Sequence, residues 1–180
     1  EVADGLMVAR GDMGVEVDFD MLPSIQKDMI SKCFKAGKIV VTATQMLESM
    51  TKNPRPTRAE VSDVANAVYD RTVATMLSGE SAAGMYPVEA VKAMSKINES
   101  AEKTINYAKR FHRYHLDLGT SHLSSICNAV VNASFQVNAK AIICVTYRGI
   151  TARMISAYRP SCPIIAAVID EKAYHQLGLS

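Results

Sequence analysis

The chain has 180 residues, of which 48% are hydrophobic and 21% are charged. This is ordinary globular composition, enough to bury one sizeable core or two small ones. The net charge of +2 is too small to argue for a nucleic-acid or membrane partner, and no apolar run approaches the roughly 20 residues that span a bilayer. The scattered cysteines, with no C-x-x-C pair, are typical of buried thiols in a reducing cytosol, so we expect a cytoplasmic protein.

Three short apolar runs predict parallel strands in the first part of the chain. They are 4–9 (DGLMVA), 39–43 (IVVTA) and 73–77 (VATML). Each run is too short for a helix, and its near-continuous hydrophobicity is typical of a strand that is covered on both faces. The runs recur at a spacing of roughly 35 residues, which is the length of one βα unit. Since a barrel takes eight strands, either the sheet is doubly wound or the rest of a barrel is missing.

Helical patterns lie between and after these strands. The first covers 21–36, and the second covers 57–70, where Thr57 and Glu60 read as a capping box. A third, long helix begins near Pro87 and is predicted to reach about Phe111.

The α/β pattern restarts after a polar stretch at 112–120. The predicted elements are a helix over 124–137, a strand over 141–146, a helix over 151–158, a strand over 163–168 and a helix starting near Glu171. This second unit stops one helix after its second strand, so we expect a chain that is cut at both ends.

Polar groups follow all three strands of the first part, at the edge where reacting groups collect in α/β proteins. Asp12 offers a hard oxygen ligand for a divalent cation, and amides around Gly11 and Asp12 can hold a small carboxylate. Thr44, Ser78 and Glu80 add hydroxyl and carboxylate groups at the neighbouring strand ends. This cluster favours a metal-bound anionic substrate over a nucleophilic triad. Taken singly, an ordinary Arg-Gly-Asp turn and a threonine bonded to local backbone are the competing interpretations.

Several longer motifs run through both parts of the chain. They are 7–16 (MVARGDMGVE), 43–50 (ATQMLESM), 54–60 (PRPTRAE), 63–68 (DVANAV), 76–82 (MLSGESA), 158–160 (YRP) and 163–166 (PIIA). In this order they resemble the pyruvate kinase family over essentially the whole chain. The resemblance implies the last part of a TIM-type (β/α)8 barrel over residues 1–106, followed by the first part of an α/β C-terminal domain over 107–180.

The resemblance also implies an activity and its partners. Members of the family transfer the phosphoryl group of phosphoenolpyruvate to ADP, giving pyruvate and ATP in glycolysis. They use Mg²⁺ or Mn²⁺ and usually K⁺, and the resemblance implies a homotetramer. The ligands of K⁺ and of ADP belong to family segments that are not in this chain.

Roles follow for individual residues by the same resemblance. Asp12 is one of two carboxylates that bind the Mg²⁺ bridging the substrate, and the amides of Gly11 and Asp12 hold the substrate carboxylate. Thr44 contacts the substrate and is associated with proton transfer at the enolate carbon. Ser78 belongs to the same proton relay, and Arg10 is counted among the catalytic residues.

In the C-terminal domain, a loop over 146–151 (TYRGIT) corresponds to the effector loop of sugar-phosphate-regulated members. Thr146, Arg148 and Thr151 are its candidates for holding an effector phosphate, although the loop is poorer in hydroxyl groups than the regulated pattern.

The family's strand before Asp4, with a lysine and the second metal carboxylate, is absent from the sequence. We therefore predict that the chain alone has no kinase activity, because one carboxylate does not hold Mg²⁺ firmly. Two alternatives are a non-catalytic effector-binding and assembly module, and a barrel lyase acting on a Mg²⁺-bound enolate. The motif at 44–47 (TQML) argues against the lyase.

Overall fold

The computed structural model describes residues 3–114, 116 and 121–179, so positions 115 and 117–120 of the polar stretch lie outside the described residues. The chain divides into two compact units. One comprises the residues up to Cys33 together with Ile39–Ile105, and the other comprises Phe34–Lys38 together with the chain from Asn106 onward. Both contain parallel strands and helices, so the predicted α/β class is confirmed. No helix in the described part of the chain is long and apolar enough to cross a bilayer.

Residues 3–105, as the structure describes them, form eight elements and one 3₁₀ turn. In chain order they are β1 (Gly5–Ala9), α1 (Arg10–Glu16), α2 (Leu22–Lys35), β2 (Ile39–Ala43), the 3₁₀ turn Glu48–Thr51, α3 (Arg58–Tyr69), β3 (Ala74–Met76), α4 (Gly79–Ala82) and α5 (Pro87–Lys103). The predicted capping box is present, since the Thr57 side chain accepts from the Glu60 amide and the Glu60 carboxylate accepts from the Thr57 amide.

The three strands of the first unit form a parallel sheet in the order β1-β2-β3, which is open within the described residues. Ala9 lies opposite Ala43, and Ala43 lies opposite Met76. The carboxyl ends of all three strands therefore meet at one edge of the sheet, as predicted.

Two apolar clusters hold this unit together. Beneath the sheet, Val8, Ile30 and Val40 are completely or almost completely buried between β1, β2 and α2. A second cluster joins the segment after β2 to α3 and α5; its buried members are Met46, Leu47, Met50, Val64, Ala67, Ala90 and Met94. Because this cluster begins at Met46, it anchors the chain directly after the strand-end residues Thr44 and Gln45.

Six further elements lie in the described part of the second unit. They are α6 (Tyr107–Arg113), α7 (His122–Gln136), β4 (Ile142–Thr146), α8 (Ile150–Ala157), β5 (Ile164–Val168) and α9 (Glu171–Leu177). The two strands pair in parallel, with Ile143 opposite Ile165. Cys127, Val131, Ile142 and Ile155 form the buried centre of this unit.

The single long helix predicted from Pro87 to about Phe111 is wrong. α5 ends at Lys103, where the Thr104 hydroxyl donates to the carbonyl of Ala101 over 2.8 Å. The Asn106 side chain then accepts from the amide of Lys109 over 2.8 Å and opens α6 as a separate helix. A polar side chain that caps a helix competes with continued helical backbone, which explains the break.

Of the three strands predicted to be covered on both faces, β1 departs from the prediction within the described residues, since Met7 is 50% exposed. In the second unit, Ile143 and Val145 in β4 are 73% and 82% exposed. The opposite face of β4 is buried at Ile142 and Thr146. Each of these strands is therefore covered on one face by the residues that the structure describes.

Candidate functional site

The ends of β1 and β2 are joined by a direct hydrogen bond. The amide of Gly11, in the first turn of α1, donates to the Thr44 hydroxyl oxygen over 2.8 Å. The same hydroxyl donates to the carbonyl of Ala43 over 2.7 Å. A Cβ added at Gly11 would lie 3.5 Å from the Thr44 hydroxyl oxygen, an ordinary van der Waals distance. The structure thus brings together two of the residues that the sequence predicts for substrate binding.

Thr44 and Gln45 form a turn with a backbone conformation that residues other than glycine rarely adopt. Their φ angles are +66° and +54°, both in the left-handed region. Such a conformation is uncommon for any residue other than glycine and is a genuine outlier for a β-branched residue such as threonine. Each such residue costs roughly 1–3 kcal/mol, and strain of this kind clusters at functional sites. The turn therefore needs a specific set of contacts to hold it.

Arg10 supplies most of those contacts. Its Nε and Nη2 donate to the carbonyl of Thr44 over 3.0 and 2.8 Å, and Nη2 also donates to the carbonyl of Gln45 over 2.9 Å. Nη1 pairs with the Asp63 carboxylate on α3 over 2.6 Å. Arg10 is only 8% exposed, so its guanidinium is directed at the protein's own backbone and at Asp63.

Ser78, at the end of β3, is linked to the same region through Glu80. The Glu80 carboxylate is fully buried and accepts from the amide of Leu47 over 2.9 Å and from the amide of Ser78 over 2.8 Å. A buried carboxylate needs such donors to offset its loss of hydration. Glu80 therefore ties the segment after β2 to the segment after β3.

Sequence reasoning found Glu80 as a strand-end carboxylate but missed this link, and it missed Asp63 and the backbone of Gln45 altogether. Asp63 lies 53 residues from Arg10, in the middle of a helix that reads as an ordinary amphipathic one. No local pattern connects the two residues, because their contact depends on how α3 packs beside the strand ends.

Asp12, the predicted metal ligand, is exposed in the first turn of α1. Within the described residues no group of three or more histidine, cysteine, aspartate or glutamate side chains is placed to hold a metal ion. Mg²⁺ is often bound by one or two carboxylates, with water and substrate phosphate completing its shell. Asp12 fits one ligand position of such an ion, and the donor set seen here does not complete the shell.

The predicted effector residues lie around the start of α8. Thr146 is the last residue of β4 and is 9% exposed, Arg148 is exposed, and Thr151 is the second residue of α8. Gly149 has a φ angle of +73°, which glycine adopts readily. The Arg153 side chain donates to the carbonyl of Arg148 over 3.1 Å and so fastens the loop to α8.

Cys127 and Cys144 are structural thiols in the second unit. No disulfide joins any of the four cysteines. Burial raises the pKa of the Cys127 thiol, with an added effect of Cys144, and burial also raises the pKa of Cys144. A raised pKa keeps a thiol protonated and inert, as expected for structural cysteines.

Two family models match the chain. A model described as pyruvate kinase, barrel domain, matches residues 1–91, and one described as pyruvate kinase, alpha/beta domain, matches residues 124–180. The first match contains all the strand-end residues, from Arg10 to Glu80. The second contains the loop at 146–151.

Individual proteins and a solved structure give the same result. The chain is 53% identical to a pyruvate kinase of Lactobacillus delbrueckii subsp. bulgaricus and 54% identical to one of Staphylococcus epidermidis, over 99% of this chain in both cases. A crystal structure of a pyruvate kinase from Cryptosporidium parvum superposes with a TM-score of 0.95 at 48% identity, over 98% of this chain and 36% of that one. The chain spans 31% of the length of the two bacterial relatives.

Proposed function

Because the chain belongs to the pyruvate kinase family, we propose that it forms part of a site that transfers the phosphoryl group of phosphoenolpyruvate to ADP, giving pyruvate and ATP. The observation that carries the proposal is the hydrogen bond from the Gly11 amide to the Thr44 hydroxyl. It supports a single site built from the ends of β1 and β2, as substrate binding by both residues requires. The matches give no support to a lyase or to a non-catalytic effector-binding module.

The proposed reaction assigns each residue a task. The bond between phosphorus and the enolate oxygen breaks, a bond to a terminal oxygen of ADP forms, and the enolate carbon takes up a proton. Amides of Gly11 and Asp12 bind the substrate carboxylate, so the Gly11 amide must share or exchange its bond to Thr44. Thr44 lies next to that carboxylate and directs the proton, with Ser78 in the relay.

A divalent cation, Mg²⁺ or Mn²⁺, would be held in part by Asp12 and would supply positive charge that stabilises the departing enolate oxygen. By family resemblance K⁺ is the second cation. We also propose a domain boundary between residues 106 and 107, a glycolytic role in the cytoplasm and a homotetrameric assembly. Light scattering coupled to size exclusion tests the assembly.

The function is tested with the protein expressed over the whole reading frame that contains this sequence. Pyruvate is measured by coupling to lactate dehydrogenase, with phosphoenolpyruvate, ADP and Mg²⁺ present. We expect Thr44→Ala to lower kcat by about 100-fold, a common loss when a group that directs a proton is removed. Ser95→Ala, an exposed hydroxyl on α5, is the control and should keep its rate. Absence of ADP-dependent pyruvate from the unsubstituted protein would refute the proposal.

We further propose that the 180-residue chain alone does not catalyse the reaction. In the described part of the chain no group of three or more potential ligands is placed to hold a metal ion, and a cation binds to an incomplete set of ligands weakly. The same coupled assay on this chain should give no pyruvate above a blank without protein. Pyruvate that depends on ADP would contradict this.

For the second unit, we propose that a phosphorylated effector binds to the loop after β4 through Arg148, Thr146 and Thr151. The exposure of Arg148 at the start of α8 supports this. In calorimetric titration of the full-length protein with a sugar bisphosphate, Arg148→Ala should weaken binding by about 10-fold or more, because charge-assisted hydrogen bonds are strong. Arg113→Ala, which removes an exposed arginine stacked near Tyr114, should not. Equal affinity in the two variants would rule out Arg148.

A further inference from the structure

The left-handed turn at Thr44 and Gln45 is held by one side chain from another strand end. The Arg10 guanidinium reaches the carbonyls of both turn residues, at distances of 2.8 to 3.0 Å, across a separation of 34 and 35 residues. A guanidinium presents its donors in a rigid plane, which lets one group bind two neighbouring carbonyls at once. A lysine ammonium lacks that planar fork.

The other contacts of Arg10 fix the guanidinium in turn. Asp63 pairs with Nη1 over 2.6 Å, and the Met46 sulfur lies 2.8 Å from Nη2. With the side chain 9% exposed, little room remains for it to reach a bound molecule. The predicted catalytic role of Arg10 requires contact with substrate. The contacts of its guanidinium are instead with the Thr44–Gln45 turn and with Asp63.

Two consecutive residues, Arg10 and Gly11, bind the backbone carbonyl and the side-chain hydroxyl of Thr44. The Arg10 side chain fixes the Thr44 carbonyl, and the Gly11 amide contacts the Thr44 hydroxyl. If the carbonyl were released, the backbone of Thr44 could leave its strained φ of +66°, and the side chain on the same Cα would then turn away from that amide. The position of the hydroxyl is thus coupled to the guanidinium.

We propose that Arg10 is a positioning residue, which holds the Thr44–Gln45 turn in its left-handed conformation and so places the Thr44 hydroxyl for proton transfer. This proposal rests on the proposed function. It assigns Arg10 an effect that passes entirely through Thr44, and it predicts that Arg10 has no separate effect once the Thr44 hydroxyl is gone.

The test is a double-substitution cycle in the full-length protein, with Arg10→Lys, Thr44→Ala and both together. Arg10→Lys should lower kcat by about 30-fold while KM for phosphoenolpyruvate changes less than about 3-fold, the pattern of an interaction that matters in the transition state. In the Thr44→Ala background the same change should lower kcat by less than about 2-fold, because residues acting as a unit are not additive. If the two substitutions acted independently, so that their fold-losses in kcat multiplied in the double variant, the proposal would be overturned.

A second readout does not depend on activity. Hydrogen exchange at the Gly11 amide, which donates to the Thr44 hydroxyl, should speed up by about 10-fold or more in Arg10→Lys, since the turn is released. Unchanged exchange would count against the proposal. Arg113→Lys, on the exposed surface of α6, is the matched control and should alter neither measurement.

The two proposals fail separately. An unsubstituted protein that makes no pyruvate refutes the function, whereas an active one with additive effects refutes only the positioning role. If Arg10→Lys does not fold, as judged by circular dichroism, Asp63→Ala loosens the guanidinium without removing it. It should lower kcat by about 3-fold or more, and that loss should again disappear in the Thr44→Ala background.

Discussion

Glu60 joins helix α3 to the 3₁₀ turn that follows β2. Its carboxylate accepts from the amide and hydroxyl of Ser49 over 2.7 and 2.6 Å, and from the amide and hydroxyl of Thr57 over 2.7 and 2.9 Å. Burial by itself raises the pKa of Glu60, but the hydrogen bonds from Ser49 and Thr57 together outweigh it and hold the pKa below the ordinary value of 4.5.

A carboxylate with a lowered pKa stabilises the folded state above its unfolded pKa, and this stabilisation is lost as the pH falls through the folded value. We expect Glu60→Gln to lower the free energy of unfolding at pH 7 by about 1 kcal/mol, because the amide has one acceptor oxygen instead of two and loses the charge that strengthens the bonds from Ser49 and Thr57. The difference from the unsubstituted chain should stay constant down to about pH 5 and shrink below 4.5. Urea unfolding at several pH values measures it.

Glu89 is a matched control for Glu60. It occupies the same third position of its helix, α5, but the residue before that helix, Tyr86, makes no side-chain cap. Glu89→Gln therefore removes a negative charge near a helix start, as Glu60→Gln does, but it breaks no capping hydrogen bond. If both variants lost equal stability with the same pH dependence, the hydrogen bonds would not be the cause.

At the residue scale, the sequence predicted which residues lie together at the strand ends but not the contacts between them. Gly11 and Thr44 were predicted to lie close together because parallel strands end at the same edge, and they form a hydrogen bond. The left-handed turn was not predictable, since neither threonine nor glutamine favours a positive φ. That turn is imposed by Arg10, through contacts that exist only after β1 and β2 have paired. The chemical roles of these residues stay predictions.

At the element scale, predictions succeeded where local signals agreed with packing. β2 has the predicted bounds, 39–43. α3 begins directly after Thr57, as its capping box indicates, and ends at Tyr69, one residue before the predicted end. The break between α5 and α6 was missed because Thr104 and Asn106 are compatible with a helix surface until their side chains bond to backbone. The same residue types occur at helix caps and on exposed helix surfaces, so the sequence alone does not distinguish the two cases.

The link through Glu80 is also a property of elements. Glu80 is the second residue of α4, and its carboxylate accepts from the amide of Leu47 in the segment after β2. Gly84 closes the far end of the same short helix, where an added Cβ would lie 2.5 Å from the Glu80 carbonyl. Hydrogen bonding at one end and close packing at the other therefore fix α4 beside the 3₁₀ turn, which keeps the ends of β2 and β3 together.

At the scale of the whole molecule, apolar residues on the strands of the second unit are exposed. The runs in β4 and β5 are almost continuously apolar, a pattern typical of sheets covered on both faces. Helices cover the face that holds Ile142, while Ile143, Val145 and Ile165 remain open to solvent. The composition of these strands is thus better suited to a covered sheet than to the surface seen in this chain.

This open face should bind a hydrophobic dye. Ile143 and Ile165 are paired across the strands, and Val145 lies two residues further along the same face, so their side chains form one patch. Contiguous apolar patches behave differently from single exposed residues. We expect the 180-residue chain to enhance anilinonaphthalene sulfonate fluorescence, and Val145→Lys to reduce the enhancement by about half. Val137→Lys is the control, because Val137 is 73% exposed but lies at the end of α7. Equal fluorescence in both variants would show that the dye binds elsewhere.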